Sequence, residues 1–285
     1  MSIELRHLRC FLAIAEESSM TRAAARLHIT QPAVSRSLAA LEKHLGVRLM
    51  DRSTHHVTLT AEGRVFRDRA AAAVAAFDDA VDTARLPDRP LRLGHAWSAL
   101  GPYTTTLLRR WELEHPDTPL ELLRFDERLA GLGRGAVDVA VVRGPVTVPD
   151  GVVVDLYEEP RVAAVTADGP LAALPRLTLA DLATGPVLLN TVSGITGIDL
   201  WPAHARPVAT VTVGNTDDWL AAIAAGRGSG VSVSSTAELH PHPDVVYRPL
   251  PDTPAVPVHL VHRTPPSHPA VRALVSLARE VTGAR

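Results

Sequence analysis

Polar side chains with a clear chemical use cluster just after position 30. The candidate residues are Thr30, placed to cap a helix, and Gln31, Pro32, Ser35 and Arg36 near its start. An arginine can pair with O6 and N7 of guanine, while glutamine and serine can meet base edges or phosphates. The same pattern is also typical of the solvent-exposed face of an ordinary three-helix bundle. These residue types alone therefore do not distinguish the two interpretations.

Three short helices are predicted to hold these side chains. Apolar residues at three- and four-residue spacing predict helices over 4–16, around 23–27 and after residue 30. In the third helix Val34, Leu38, Leu41 and Leu45 share a narrow arc, opposite Pro32, Arg36, Ala39 and Lys43. A three-residue turn joins the last two helices, and the outer face of the third is slim and basic. This is the geometry of a helix-turn-helix that can enter a major groove.

A two-stranded wing is predicted after the third helix, which ends at Gly46. Residues 47–60 form two short strand-like runs around a polar tip, and Arg52 is the charge best placed to reach the DNA backbone or minor groove. His55 and His56 are of metal-ligand type, but neighbouring strand residues face opposite ways. The spacing therefore argues against a metal site.

A long helix is predicted over 61–86, followed by a hinge at Pro87 and Pro90. Its heptad-like stripe consists of Phe66, Ala70, Ala73, Phe77 and Val81. A helix of about 26 residues spans roughly 39 Å, which is too long to bury its stripe against a small domain. We expect the stripe to meet a second chain. The alternative is that it packs on the carboxy-terminal domain of its own chain.

Residues beyond 90 alternate between strand and helix patterns. Strands are predicted near 120–124, 137–142, 187–190, 208–213, 230–233, 245–249 and 256–262, and helices over 99–114, 127–132, 198–204, 216–225 and 269–282. Such alternation is typical of a parallel sheet covered by helices.

The sequence contains no recognisable motif of catalytic residues. The turn 228–230 lacks the spacing of a nucleophile elbow, and 131–135 is not a full dinucleotide fingerprint. His259 and His262 face opposite sides of a strand, and 240–243 is a stiff loop, so neither predicts a metal site. We expect a protein that is not an enzyme and has no metal or cofactor.

Composition fits a two-domain protein with a nucleic-acid-binding amino-terminal end. The 285 residues exceed one core, and 46% hydrophobic with 21% charged residues is ordinary for a globular chain. Residues 1–65 contain nine Lys/Arg and six Asp/Glu, which gives them a net charge of +3. Because the whole chain has a net charge of −2, the remaining residues carry −5. No apolar run approaches the roughly 20 residues needed to cross a bilayer, and the single cysteine cannot form an intrachain disulfide. We therefore expect a cytoplasmic location without membrane contact.

The first sixty residues resemble the LysR-type transcriptional regulators. The matching runs are Leu5–Leu8 with Phe11, 21–36, Leu41–Glu42 with 45–49, and Leu59–Gly63. The resemblance is dense and collinear there, and it extends more weakly over nearly the whole chain. It departs at Met20, where the family usually has an aromatic residue, and at 231–235, where many members continue with Leu-Pro. The identity of a ligand is therefore not carried over.

The resemblance implies an α+β multidomain chain. It would contain a winged helix-turn-helix over 1–60, a dimerising linker helix and hinge over 61–89, and an effector-binding domain over 90–285. That last domain would be an α/β two-lobed domain like a periplasmic binding protein. Lobe I would take about 90–160 and 264–285, and lobe II about 161–263, with crossovers near 159–162 and 261–264.

The implied partners are double-stranded promoter or operator DNA, a small-molecule effector of anionic or polar character, the chain itself as a dimer or tetramer, and RNA polymerase. A solute-binding module or an enzyme without a DNA role is the alternative. That alternative leaves the first sixty residues unexplained.

An effector would lie between the lobes, at strand ends and helix starts. The candidate residues are Trp97, Ser98, Arg143, Asn190, Ser193, Thr196 and Asn215. The three hydroxyl side chains lie at or near predicted helix N-termini, where backbone N–H groups hold a carboxylate, and the tryptophan would add an apolar wall. Each also has an alternative as a helix cap or a packed aromatic side chain.

Overall fold

The computed structural model describes residues 3–52, 57–83, 89–192 and 194–284. His55, His56 and Pro87, considered above, lie outside these residues. The chain divides into two compact units, one containing Met1–Arg85 with Gly133–Gly135 and the other Leu86–Leu132 with Ala136–Arg285. Within the described part of the chain, no helix is both long enough and apolar enough to cross a membrane.

Helices and a two-stranded ribbon form the amino-terminal unit. They are α1 (Leu5–Glu17), α2 (Met20–Arg26), α3 (Gln31–Leu45), β1 (Met50–Arg52), β2 (Val57–Leu59) and α4 (Ala61–Thr83). The Ser19 side chain caps α2 by accepting a hydrogen bond from the Arg22 N–H at 3.3 Å. Gly46 ends α3 with a φ of 71°, a conformation that glycine adopts without a Cβ penalty. The strands pair antiparallel, with Met50 opposite Leu59.

One apolar core holds the three short helices together. Phe11, Ile14, Val34, Leu38 and Leu41 are all 0% exposed. Each lies on the apolar stripe of its helix, so burying the stripe of α3 leaves its polar side to solvent. Packing thus fixes which face of α3 is offered to a partner.

The second unit contains two five-stranded sheets. Its elements are β3 (Leu91–His95), α5 (Thr104–Glu114), β4 (Leu120–Arg124), β5 (Val139–Arg143), β6 (Gly151–Glu159), β7 (Arg161–Thr166), α6 (Leu179–Ala183), β8 (Pro186–Asn190), β9 (Ala209–Val213), α7 (Thr216–Ala224), β10 (Ser229–Val233), α8 (Ser234–Leu239), β11 (Val245–Pro249), β12 (Val256–Arg263) and α9 (Val271–Thr282). The strand orders are β4-β3-β5-β12-β6 and β11-β7-β10-β8-β9. Each sheet with its helices forms one lobe.

Both sheets are mixed, so the expected parallel arrangement holds for only part of each sheet. In the first, β3 runs parallel to β4 and β5, but β12 is antiparallel to β5 and β6. In the second, β8 runs parallel to β9 and β10, but β7 is antiparallel to β10 and β11. The antiparallel strands are those by which the chain leaves one sheet and enters the other.

The two crossings between the lobes differ in how well they were predicted. The first lies between Glu159 and Arg161, inside the expected interval. The second lies between Pro249 and Val256, not at 261–264, because β12 already pairs with β5 and β6 of the first sheet. The first lobe therefore takes the chain from about residue 256 onward.

Two predicted helices are absent as α-helices from the described residues. At 127–132 the chain forms turns, because Ala130 and Gly131 have φ values of 45° and 90°, which an α-helix does not allow. Over 198–204 it forms two short 3₁₀ turns on either side of Pro202, whose ring nitrogen has no N–H to donate.

Candidate functional site

The outer face of α3 is exposed to solvent. Gln31, Pro32 and Arg36 are exposed and Ser35 is half-buried, while the core side of the helix is fully buried. Thr30 occupies the capping position, but its side chain makes no capping hydrogen bond to the described residues, contrary to our expectation. Its backbone oxygen accepts instead, from the Ala33 N–H at 2.9 Å. Pro32 lies in the first turn, where its missing N–H costs no helical bond.

A carboxylate on α3 anchors the wing. One oxygen of Glu42 accepts hydrogen bonds from the backbone N–H groups of Leu49 at 2.9 Å and Met50 at 3.2 Å. The position of β1 relative to α3 therefore depends on a charge-assisted bond. Arg52 ends β1, and nothing further is described of its side chain. Sequence patterns identified the wing but not the role of Glu42, which looked like one more polar residue of a helix.

The start of α4 is locked against the same wing. The Thr60 hydroxyl donates to the Arg48 carbonyl and accepts from the Gly63 N–H, both at 2.9 Å. A Cβ on Gly63 would lie 2.0 Å from the Leu49 carbonyl oxygen, so the close approach requires glycine. The run from Leu59 to Gly63 thus caps the start of α4 and brings it into contact with the backbone at Arg48 and Leu49.

The apolar stripe of α4 is divided between two environments. Ala70 is 2% exposed in the core of the helix-turn-helix, and the Phe66 ring lies 5.4 Å from that of Phe11. These two residues thus pack in the core of their own unit, and their place in a seam between chains stays a prediction. Ala73, Phe77 and Val81 are exposed, Phe77 by 50%. The described residues of the amino-terminal unit thus leave only the second half of the stripe uncovered.

In the second unit, strand ends of the first lobe meet a helix start of the second lobe. His95 and Arg124 end the parallel strands β3 and β4 as register partners, and Arg143 ends β5. From the second lobe, the Asp217 carboxylate meets Arg124 at 3.5 Å. The carboxyl ends of parallel strands are where open α/β folds bind ligands.

Arg143 is fully engaged inside this region. Its guanidinium forms a double ion pair with Glu159, at 2.9 and 3.2 Å, and donates to the Ala99 carbonyl at 2.8 Å. It also lies 5.3 Å from the centre of the Trp97 ring and 3.4 Å from the Ser235 hydroxyl of the second lobe. Because its donors are taken by protein groups, Arg143 shapes the loop after β3. Direct contact of Arg143 with a ligand stays a prediction.

Ser98 is different, because its hydroxyl is buried and unused. The residue is 8% exposed, and its Oγ has no hydrogen-bond partner within the described ranges. Its φ of 51° and that of Ala99, 37°, are uncommon for residues other than glycine. Unpaired buried polar atoms and strained backbone are features that concentrate at functional sites.

Three other expected ligand residues serve local structure. Asn215 caps α7 by accepting from the Asp218 N–H at 2.7 Å, and acidic side chains occupy the first turn of that helix. Asn190 accepts from the Val192 N–H at 2.9 Å, and the Thr196 hydroxyl donates to the Val231 carbonyl at 3.2 Å. These three side chains thus make local structural hydrogen bonds, which was the alternative to ligand binding. Ser193 lies outside the described residues.

Comparison with known proteins identifies both units. Residues 5–64 match the family model of the bacterial regulatory helix-turn-helix protein, lysR family, and residues 84–283 match that of the LysR substrate binding domain. The chain belongs to the LysR family. It is a DNA-binding transcriptional regulator with an effector-binding domain.

Two relatives from Escherichia coli (strain K12) illustrate how far the LysR-family similarity extends. The HTH-type transcriptional regulator YnfL is 35% identical over 256 residues, covering 82% of this chain and 84% of YnfL. The Hca operon transcriptional activator HcaR is 30% identical over 291 residues, covering 98% of each chain.

Solved structures of LysR regulators share the fold over nearly the whole length. CbnR, a LysR family transcriptional regulator, is 27% identical with a TM-score of 0.65, covering 98% of this chain and 99% of CbnR. CbnR in complex with its target DNA matches with a TM-score of 0.62 at the same identity and coverage. The expected α+β multidomain fold, with a helix-turn-helix and a two-lobed effector domain, is confirmed.

His95 and His240, which are not among the candidate effector residues above, also have buried ring nitrogens. His95 Nδ1 and His240 Nε2 are buried and have no hydrogen-bond partner among the residues that the structure describes. Burial, reinforced by the positive charges of Arg124 and Arg143, lowers the pKa of His95 to about 4. Burial likewise lowers the pKa of His240, with Arg124 adding to the effect. Both imidazoles are thus held in the neutral form.

Proposed function

We propose that this LysR regulator reads its operator through the exposed face of α3 and responds to a small molecule bound between its two lobes. Gln31, Pro32, Ser35 and Arg36 would meet the major groove, with Thr30 at the helix start. Arg52 of the wing would meet the backbone or minor groove. The observation that carries the proposal is that Arg36 is exposed on a helix whose other face is fully buried. The arginine can therefore reach a base without disturbing the fold.

The domain limits that we propose are 1–60 for DNA binding, 61–89 for the linker, and 90–285 for effector binding. The exposed half of the α4 stripe supports pairing with a second copy, as a dimer or as a tetramer of paired dimers. Such an assembly would present two recognition helices to a two-fold symmetric operator. RNA polymerase would be a further partner, and the cytoplasm the site of action.

Effector binding would depend on the cleft around Ser98. A small polar or anionic molecule would satisfy the buried hydroxyl, and Trp97, in an apolar cluster with Ile195 and Val233, would face its carbon atoms. We place no catalytic step there, because among the described residues the engaged side chains support the fold, and the Ser98 hydroxyl makes no hydrogen bond to a base that could activate it.

Binding to the DNA upstream of the protein's own coding sequence tests the regulatory function. The full-length protein should shift this fragment at concentrations that leave a shuffled fragment of equal composition unbound. Equal affinity for both fragments at physiological salt would contradict sequence-specific recognition. A solute-binding module without a DNA role would bind neither.

A further inference from the structure

We propose that Arg9, through its contacts with Phe77 and Asp78, sets the direction of α4 and thereby the distance between the two recognition helices of a paired regulator. Arg9 is a positioning residue, because it acts on DNA binding through α4 and not by touching a base. This inference rests on the proposed function, in which two copies pair along the exposed half of the α4 stripe. It specifies which spacing of operator half-sites the pair of copies reads.

The first half of α4 is fixed to the helix-turn-helix by the apolar core. The Phe66 ring packs against that of Phe11, and Ala70 is buried. Within the described residues, this core reaches along α4 as far as Ala70. A helix that is held over only one part of its length can pivot about that part. The direction of the second half therefore depends on what else holds it.

Arg9 of α1 holds the second half of α4. Its Nη2 donates a hydrogen bond to Oδ1 of Asp78, and its guanidinium lies over the Phe77 ring, 6.0 Å from the ring centre. At a rise of roughly 1.5 Å per residue, Asp78 lies about 12 Å beyond Ala70 along the helix axis. A second attachment at that distance fixes the direction of α4 relative to α1.

The three side chains are accessible to solvent. Phe77 is 50% exposed, and the side chains of Arg9 and Asp78 are 45% and 49% exposed. Ion pairs and cation–π contacts at exposed positions each change an equilibrium constant by a factor of roughly two to five. Contacts of this strength do not decide whether the helix-turn-helix folds. They are sufficient to select one direction of a helix that is already formed.

The direction of α4 matters because Phe77 also belongs to the proposed surface between two copies. It shares that surface with Ala73 and Val81, which are exposed as well. If α4 is paired with its counterpart there, a tilt of α1 against α4 moves α3 relative to the partner. In a pair related by a two-fold axis the same shift occurs in both copies. The separation of the two recognition helices then changes by twice the shift in one copy.

Operator half-sites must match this separation. The recognition helices of a helix-turn-helix dimer enter major grooves that lie about 34–36 Å apart, or a multiple of that distance. One inserted base pair moves a half-site by about 3.4 Å and, at 10–10.5 base pairs per turn, rotates it by about 35°. A fixed direction of α4 therefore admits one spacing, whereas a mobile α4 tolerates neighbouring spacings.

Distances between spin labels test the positioning role on the full-length protein without DNA. Lys43→Cys places a label on the exposed side of α3, and the native Cys10 is buried. Double electron–electron resonance then gives the distribution of distances between the labels of two paired copies. We expect a narrow distribution for the labelled protein with Arg9 and Asp78 intact. Arg9→Ala or Asp78→Ala should broaden or shift it.

Matched variants separate positioning from a general loss of stability. Arg9→Asp with Asp78→Arg reverses the ion pair, so it should narrow the distribution again relative to Arg9→Asp alone. Arg6→Ala is the control, because Arg6 is also an exposed arginine of α1 but pairs with Glu4 at the start of that helix. Its distribution should remain narrow. A wild-type distribution in both folded alanine variants, or equal broadening in Arg6→Ala, would overturn the inference.

The spacing of the half-sites provides a second measurement. The footprint of the protein on the DNA upstream of its coding sequence would be prepared with one or two base pairs added or removed at its centre. Wild type should bind the native spacing most tightly. Arg9→Ala should lower this preference about threefold, within the range for one exposed contact, and Arg6→Ala should keep it. An unchanged preference in the Arg9 variant would contradict the positioning role.

Failure here and failure of the proposed function remain distinguishable. If the Arg9 variant keeps both the wild-type distances and the wild-type spacing preference, its positioning role is wrong and the regulatory function stands. If the labelled wild-type protein shows no distance between copies, the proposed pairing is wrong, and the positioning role is wrong with it.

Discussion

Arg143 and Glu159 form a buried, doubly hydrogen-bonded ion pair at the junction of the two lobes. The Nε–Oε2 and Nη2–Oε1 distances are 2.9 and 3.2 Å, and both side chains are no more than 3% exposed. Glu159 is the last residue of β6, directly before the chain crosses to the second lobe. The pair therefore holds the crossing, the end of β5 and the strained loop of Ser98 in one arrangement.

Breaking this ion pair should destabilise the effector domain strongly. Arg143→Met leaves the Glu159 carboxylate buried without its partner, and we expect a loss of about 3–5 kcal/mol in the free energy of unfolding. Chemical denaturation measures it. The double variant Arg143→Met with Glu159→Met should lose less, because no uncompensated charge remains. A single variant as stable as wild type would contradict the structural role.

The wing should depend on Glu42 in a similar way. Glu42→Ala removes the acceptor for the Leu49 and Met50 N–H groups, which should cost about 1.5–3 kcal/mol, the range for hydrogen bonds to charged groups. Glu42→Gln keeps an acceptor oxygen and should cost less. Thermal unfolding of the full chain with operator titration checks both. If the alanine variant is as stable as wild type and binds operator equally well, the carboxylate does not anchor β1.

The faces of a helix could be predicted from the sequence, but the partners of individual polar side chains could not. Helical spacing correctly separated the buried and exposed faces of α3, because a regular helix fixes those directions. Asn215 and Arg143 lie near strand ends, as expected. However, the Asn215 side chain caps α7, and the Arg143 side chain forms an ion pair with Glu159. Spacing cannot reveal whether a polar side chain is already used.

Contacts between distant segments were beyond prediction for the same reason. His95 and His240 lie far apart along the chain, and only the return of the chain into the cleft brings them near each other. Phe66 and Phe77 have the same heptad-like spacing, but Phe66 packs against Phe11 of α1, whereas Phe77 has only the Arg9 guanidinium of α1 over its ring and stays half exposed. Burial, which distinguishes them, is a property of the folded unit.

Removing the guanidinium of Arg36 should weaken operator binding without affecting the fold. The side chain is exposed, so Arg36→Ala leaves the core of Val34 and Leu38 intact. Loss of a bidentate contact to guanine should cost about 1–3 kcal/mol in binding. Fluorescence anisotropy with the operator measures it, and Arg272→Ala, which removes an exposed arginine of α9, serves as control. Unchanged affinity of a folded Arg36 variant would remove this residue from the interface.

The two phenylalanines of α4 should respond differently to substitution. Phe77→Asp places a charge on the exposed half of the stripe, so it should reduce self-association and leave unfolding of the helix-turn-helix nearly unchanged. Phe66→Ala should instead cost about 3 kcal/mol of stability, the lower end for Phe→Ala, because the ring is only partly buried. Light scattering and thermal unfolding separate the two effects. A monomeric wild-type protein would refute the proposed seam.

Acid should destabilise the protein partly through His95. The unfolded chain binds a proton near the ordinary histidine pKa of about 6.5, whereas burial holds the pKa of the folded-state ring at about 4. Between these values the unfolded state binds more protons, so the stability present above about pH 6.5 is lost as pH falls toward 4. His95→Gln cannot titrate and should show a smaller fall in melting temperature between pH 7 and pH 5 than wild type. His204→Gln, which is exposed, should retain the full fall. If the His95 variant proves as acid-sensitive as wild type, the ring is not held neutral in the folded cleft.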